Sequence, residues 1–186
     1  MASSGMLGAN PIATAMNQLG LMALTFLIGS LACTPLKEVF GWGWPIRIRR
    51  MLGLYAFFYA SLHFLTYLGL DQLFDFKAVF ADITKRQFIY VGFAAFVLLV
   101  PLAITSTDRM VRRLGYARWK WLHRLAYAAA VLGVVHFILR VKKDLSQPLT
   151  YGAVLAALLT ARVILFVLKK LKQRGSRRIP APIRPL

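Results

Sequence analysis

Three histidines, His63, His123 and His136, are the residues of this sequence whose type and setting could do chemistry. His63 lies in the apolar run RRMLGLYAFFYASLHFLTYLGL, and the other two lie in RWKWLHRLAYAAAVLGVVHFILR. Ionisable side chains are rare and costly inside a membrane span, so function is the first hypothesis for them. An imidazole there can bind iron or zinc, or it can simply hydrogen-bond to a neighbouring helix.

The apolar runs around these histidines predict membrane-spanning helices. Of the 186 residues, 59% are hydrophobic, and the mean hydropathy is +0.61, which is too apolar for a water-soluble domain. Lipid leaves backbone groups no partners outside the segment, so spans of this kind must be helices. The predicted fold class is an all-α membrane protein, a bundle of five transmembrane helices. Windows long enough to cross about 30 Å of hydrocarbon cover residues 19–35, 51–70, 88–104, 121–139 and 151–168.

The distribution of charge predicts how the bundle lies in the membrane. The net charge is +18, and seventeen of the 24 Lys and Arg residues lie in residues 36–50, 105–124 and 169–186. Basic loops stay on the cytosolic side, so these segments and the C-terminus are predicted to be cytosolic, and five spans then place the N-terminus outside. A basic rim against anionic lipid headgroups accounts for the charge. Since no nucleic-acid recognition motif accompanies it, we predict no nucleic-acid partner.

The second and fourth spans run in the same direction, because one span separates them. Counted from the inner basic edge, His63 lies about 20 Å beyond Arg50, and His136 lies about 24 Å beyond Lys120. The two imidazoles are therefore predicted to lie at matching depth in the outer half of the membrane, on either side of one planar ligand. His123 lies about 20 Å from His136 along a continuous helix and about 140° around it, so it cannot ligate the same metal.

A haem suits this pair of histidines better than zinc. Zinc sites need three or four protein ligands, and the spans contain no acidic residue or second cysteine. A haem needs only axial ligands, and its porphyrin fits an apolar slot. Its propionates could meet Arg140, Lys142 or Lys143 at the outer face. Small residues could admit it, although ordinary helix packing gives the same pattern. They are Ala56, Ala60, Ser61, Ala126, Ala128, Ala129, Ala130 and Gly133.

Three motifs, RRMLGLYAFFYASLHFLTYLGLDQ, ITSTD and LGYARWKWLHRLAYAAAVLGVVHF, carry a resemblance to a known family. They resemble the haem-binding membrane subunits of the bacterial periplasmic methionine sulfoxide reductase system, called MsrQ or YedZ. The match runs from about residue 8 to 170, and the family belongs to the ferric-reductase-like transmembrane group, alongside NADPH oxidases. The resemblance implies a b-type haem protein of the bacterial inner membrane that is an electron-transfer subunit, not the catalytic one.

The resemblance also implies partners, a second cofactor and site residues. Electrons would come from a cytosolic flavin reductase or the quinone pool and pass to a periplasmic molybdopterin enzyme that reduces oxidised methionine, and FMN is a further implied cofactor. The family's three histidines fall on His63, His123 and His136, and its arginine pair falls on Arg49 and Arg50. Members usually have six spans, and the first has no counterpart here, where MASSGMLGAN stands.

The sequence leaves two alternatives for the cofactor at the inner end of the bundle, a second haem or a flavin. Related oxidases carry two histidines on each of two helices, whereas here Arg50 occupies the depth of the second histidine on its helix. A second haem at His123 would take Met51 as its other ligand or be five-coordinate. Alternatively a flavin binds there, with its phosphate against arginine side chains. These are Arg49, Arg50 and Arg109.

The predicted domain organisation is simple. Residues 1–170 form a ferric-reductase-like haem-binding domain, and residues 171–186 form a basic, Pro-rich cytosolic tail. The sequence also fits a function of another class. The protein would then be a cofactor-free membrane scaffold or assembly protein whose histidines only join helices.

Overall fold

The structure, a computed structural model, describes residues 10–141 and 144–176, and side chains as far as residue 173. These residues form α-helices joined by short connections, without a strand, and one π-helical segment, Tyr67–Asp71, continues the second helix. Lys142, Lys143 and residues 177–186 of the predicted tail lie outside the described residues, and residues 171–176 continue the last helix. The helices are α1 (Pro11–Phe40), α2 (Trp44–Thr66), α3 (Phe76–Lys85), α4 (Gln87–Ile104), α5 (Asp108–Leu114), α6 (Tyr116–Leu122), α7 (Leu125–Arg140) and α8 (Ser146–Ser176).

The predicted bundle of five spans is confirmed, and the protein is a multi-pass membrane protein. Most spans are longer than the apolar windows. They cover Pro11–Phe40, Trp44–Asp71, Gln87–Ile104, Tyr116–Arg140 and Ser146–Gln173.

The first span begins earlier and ends later than its apolar window. The Asn10 side chain accepts a hydrogen bond from the backbone N–H of Ala13 at 3.0 Å, and Pro11 occupies the first turn, where it needs no backbone donor. The helix then passes through Pro35, its predicted end, and stops at Gly41, whose φ of 72° is left-handed. The extension at the start adds the backbone around Met16, whose carbonyl reaches His63.

Two helix pairs dominate the packing and position the site. Helix α1 packs along α2, and α4 packs along α7, while α8 lies against α1 and α7. The two pairs meet around one buried core, to which all five spans contribute. Its members are Leu24, Leu27, Ile28, Leu31, Ala56, Leu99, Leu102, Ala126, Ala129, Ala130, Val134 and Leu155.

The small residues of α2 and α7 let neighbouring helices pack closely against them in the core. Ala56 and Ala130 are 0% exposed, and a side chain at Gly133 would meet Leu24 Cδ1 at 3.3 Å. Ala128, which the sequence places in the same group, is exposed on the outside of α7. Much of the small-residue pattern therefore serves helix packing.

The fourth span is interrupted at His123 and Arg124, between α6 and α7. The Arg124 N–H donates to the Trp121 carbonyl, and the Tyr127 N–H donates to the Arg124 carbonyl, so the backbone tightens to bonds three residues apart. The prediction of one continuous helix from His123 to His136 is wrong. Consequently, the angle of about 140° counted between those two residues around a regular helix does not hold across this turn.

The connection between the third and fourth spans is a compact pair of short helices. The Thr107 hydroxyl accepts from the Met110 N–H at 3.3 Å and caps α5, which ends at Gly115 with φ 78°. The Trp119 Nε1–H donates to the Thr105 carbonyl at 2.9 Å. That bond ties α6, and with it the turn at His123, to the end of α4.

Candidate bis-histidine site

His63 and His136 meet inside the bundle. His63 lies near the end of α2 and His136 near the end of α7, and their ring centres are 6.0 Å apart, with the ring planes at 85°. Both side chains are half-buried. The structure thus brings together the two histidines that the depth count paired.

Each of the two imidazoles is held through Nδ1 by a backbone carbonyl of a neighbouring helix. Nδ1 of His63 donates to the Met16 carbonyl on α1 at 2.7 Å, and Nδ1 of His136 donates to the Phe88 carbonyl on α4 at 2.7 Å. Because a carbonyl can only accept, the proton of each neutral ring must lie on Nδ1, which leaves the Nε2 lone pair free to bind a metal. Metal-bound histidines use their other nitrogen in this way.

The spacing of the rings fits two axial ligands on one iron. A metal–imidazole bond is about 2 Å long and the ring centre lies about 1 Å further, so two ligands in line have ring centres about 6 Å apart. The observed 6.0 Å matches that value. No group of three or more His, Cys, Asp or Glu in residues 10–141 and 144–176 could hold a metal ion, which disfavours zinc there. The donor set therefore fits a haem.

His123 lies apart from this pair, at the turn between α6 and α7. Its Nδ1 is 3.1 Å from the Trp119 carbonyl, and its ring centre is 4.0 Å from that of the Trp119 indole. Its Nε2 is buried, and no described residue gives it a hydrogen bond. Buried polar atoms are nearly always paired, so this nitrogen is suited to a ligand.

The three predicted arginines do not form one cluster. Arg49 is close enough to His123 for an electrostatic interaction, and its guanidinium donates to the Thr34 hydroxyl at 3.4 Å. Arg50 instead pairs with Asp108 at the start of α5. The hydrogen bond from Arg50, together with its charge, holds the pKa of Asp108 below its usual range. Among these arginines, Arg49 is therefore the one that the structure associates with His123.

The remaining residues of the predicted inner site are at the surface. Arg109 is exposed on α5, and within the described parts of the chain it takes part in no hydrogen bond or ion pair. Met51, the alternative ligand for a second haem, is 47% exposed.

The carbonyls of Met16 and Phe88 are functional groups that sequence reasoning missed. Every residue has a carbonyl, so no residue type marks these two. Only the packing of α1 on α2 and of α4 on α7 identifies them.

The five-span helical bundle and its two neighbouring imidazoles agree with a ferric-reductase-like transmembrane protein. The family described as "Ferric reductase like transmembrane component" matches residues 14–134, a range that includes His63 and His123 and ends two residues before His136. Relatives that match most of the chain identify the particular family within this class.

The chain is 55% identical to the Rhodospirillum rubrum "Protein-methionine-sulfoxide reductase heme-binding subunit MsrQ" over 177 residues, 95% of this chain and 83% of the relative. The proteins of the same name from Herminiimonas arsenicoxydans and Deinococcus radiodurans are each 54% identical, over 84% and 87% of this chain and 73% and 80% of their own lengths. The chain belongs to the MsrQ family, and the resemblance seen in its motifs is confirmed.

Proposed function

We propose that this protein is the transmembrane electron-transfer subunit of a methionine sulfoxide reductase system and holds one b-type haem between His63 and His136. The observation that carries the proposal is the pair of imidazoles 6.0 Å apart, each with Nδ1 on a carbonyl. The relatives named heme-binding subunits support the same reading. A bound haem supplies reversible one-electron exchange, at a potential set by its ligands and surroundings.

The chain's own residues do the binding and orienting. His63 and His136 provide Nε2, and the carbonyls of Met16 and Phe88 hold the rings in place. Arg140 lies one helical turn after His136, is half-buried and interacts electrostatically with both imidazoles. Its guanidinium is suited to a haem propionate, because arginine pairs with carboxylates through two parallel hydrogen bonds.

The proposed partners are those that the family resemblance implies, and the name of the relatives supports the methionine sulfoxide reductase system among them. Electrons enter at the cytosolic side from a flavin reductase or the quinone pool and leave to a periplasmic molybdopterin methionine sulfoxide reductase. The protein lies in the bacterial inner membrane with its C-terminus in the cytosol. The basic segments 36–50 and 105–124 support this orientation, since basic loops remain cytosolic.

Transmembrane electron transfer is expected in liposomes that contain the purified protein. Ferricyanide is trapped inside and dithionite is added outside. Neither reagent crosses the lipid. Loss of the trapped ferricyanide absorbance should be rapid with the native protein, because its bound haem carries electrons between the two faces. With His136→Ala it should fall to the rate of protein-free liposomes. Equal rates in all three samples would contradict the electron-transfer function.

A cofactor-free scaffold is the second candidate function, and one observation favours it. Both Nδ1 atoms already join helices, α1 to α2 and α4 to α7, as structural histidines would. A scaffold purified from its host membrane has no Soret band, whereas the haem protein has one that shifts on reduction. The spectrum of the purified protein thus separates the two functions.

The inner site around His123 and Arg49 is proposed to hold a second redox group or to dock the electron donor. The buried, unpaired Nε2 of His123 suits a haem ligand, and the Arg49 guanidinium suits the phosphate of FMN.

Haem and flavin per polypeptide, measured before and after His123→Ala, decide between these roles. We expect one haem per chain in both proteins, because the outer pair is intact in each. A fall from two haems to one would instead make His123 a ligand of a second haem. A fall in flavin alone would assign the inner site to FMN.

A further inference from the structure

Two glycines face the two paired imidazoles. Gly20 is on α1, and a Cβ built on it would lie 3.1 Å from both Cε1 and Nδ1 of His63. Gly92 is on α4, and a Cβ there would lie 2.5 Å from Nδ1 and 2.8 Å from Cε1 of His136. Real Cβ atoms do not approach other atoms as closely as at Gly92, so the native ring position there requires glycine.

Each glycine comes four residues after the carbonyl that holds the same imidazole. Met16 precedes Gly20 on α1, and Phe88 precedes Gly92 on α4. Residues four apart lie on the same face of a helix, one turn from each other. Each helix therefore contacts its histidine at two points, a carbonyl that bonds Nδ1 and a glycine Cα that packs against the ring. We call each such pair of contacts a seat.

The two seats belong to equivalent helix pairs. The α1 seat receives a histidine from α2, and the α4 seat receives one from α7, and these are the two most extensive helix contacts of the bundle. Glycine lowers the stability of a helix interior relative to alanine. At these two positions the close approach of the rings offsets that loss.

We propose that Gly20 and Gly92 are positioning residues that fix the ring orientation of the two axial ligands, an inference that rests on the proposed haem function. A methyl group at either position would push the ring away from its carbonyl and turn or withdraw Nε2. The seats thereby set the 85° angle between the ring planes. In low-spin ferric haems, near-perpendicular imidazole planes give a larger spread of EPR g-values than parallel planes do.

The test compares Gly92→Ala and Gly20→Ala with Gly53→Ala in the haem-loaded full chain. Gly53 is a matched control, because it lies within helix α2 and a Cβ there would meet nothing within 4 Å. Native protein and Gly53→Ala should share a highly anisotropic low-spin EPR signal and bind no carbon monoxide when reduced. Gly92→Ala should lose that signal and bind carbon monoxide, because His136 no longer reaches the iron. Gly20→Ala should show a smaller change in g-values, since its methyl needs only a few tenths of an ångström.

Haem content and monodispersity are measured on the same samples, so that a general loss of folding is not mistaken for ring displacement. If Gly92→Ala yields no folded protein, Gly20→Ala decides the question. Native EPR g-values in folded Gly92→Ala would overturn the positioning role. If Gly92→Ala does not fold, native g-values in Gly20→Ala would overturn it. Low-spin spectra that persist in both His63→Ala and His136→Ala would instead overturn the haem assignment itself.

Discussion

Alanine at either His63 or His136 is expected to abolish the six-coordinate low-spin haem spectrum. Each change removes one of two facing ligands whose ring centres are 6.0 Å apart, and no third imidazole lies beside them, since His123 is at the α6–α7 turn. The reduced variants should bind carbon monoxide at the vacant position or lose the haem during purification. Absorption and EPR spectra of the purified variants measure both outcomes.

The controls for these variants separate ligation from helix packing. Each alanine also deletes a hydrogen bond between helices, which contributes about 1 kcal/mol. Ser61→Ala is a matched control on α2, because the Ser61 hydroxyl bonds only within its own helix, to the Phe57 carbonyl at 2.8 Å. Added free imidazole should restore a low-spin spectrum to His63→Ala or His136→Ala that retains haem. An unchanged low-spin spectrum in both alanine variants would contradict the assignment.

The spans and the pairing of the two histidines could be predicted from the sequence. Apolar runs of about the length that crosses the hydrocarbon determine the helices, and two spans that run in the same direction allow depth to be counted from their basic ends. His63 and His136 therefore emerged as a pair without any knowledge of packing. Rise along a regular helix is the only geometry that this argument needs.

The surroundings of the pair could not be predicted, because they depend on which helix faces them. The carbonyls of Met16 and Phe88 are indistinguishable from any others in the sequence, and Gly20 and Gly92 resemble the other glycines of the spans. The interruption of the fourth span at His123 and Arg124 could not be predicted either, for a different reason. The sequence on either side of these two residues contains no glycine or proline within five positions to mark the turn.

The small residues illustrate a pattern with two physical interpretations. Alanines on α2 and α7 could line a cofactor slot or allow helices to touch, and the sequence is the same in both cases. The structure separates them by burial. Ala56 and Ala130 are 0% exposed within the shared core, whereas Ala128 is exposed on the outside of the same helix α7.

Leucine at Ala130 is expected to destabilise the bundle and the haem site together. Three extra carbons would enter a core that leaves Ala130 no exposed surface, and overpacking of this kind costs about 1–3 kcal/mol of unfolding free energy. The helix α7 would be displaced from its neighbours, and His136, six residues further along it, would move with it. Thermal unfolding in detergent and haem retained after heating measure the two effects.

Ala128→Leu is the matched control, because it adds the same side chain to the same helix two residues earlier, at an exposed position. It should unfold near the native temperature and keep its haem, since the added leucine faces outward from the bundle. The difference between the two variants then reports packing and not helix propensity, which is the same for both. If Ala130→Leu is as stable as Ala128→Leu, tight packing at Ala130 does not hold His136 in place, and the seat on α4 must position that histidine alone.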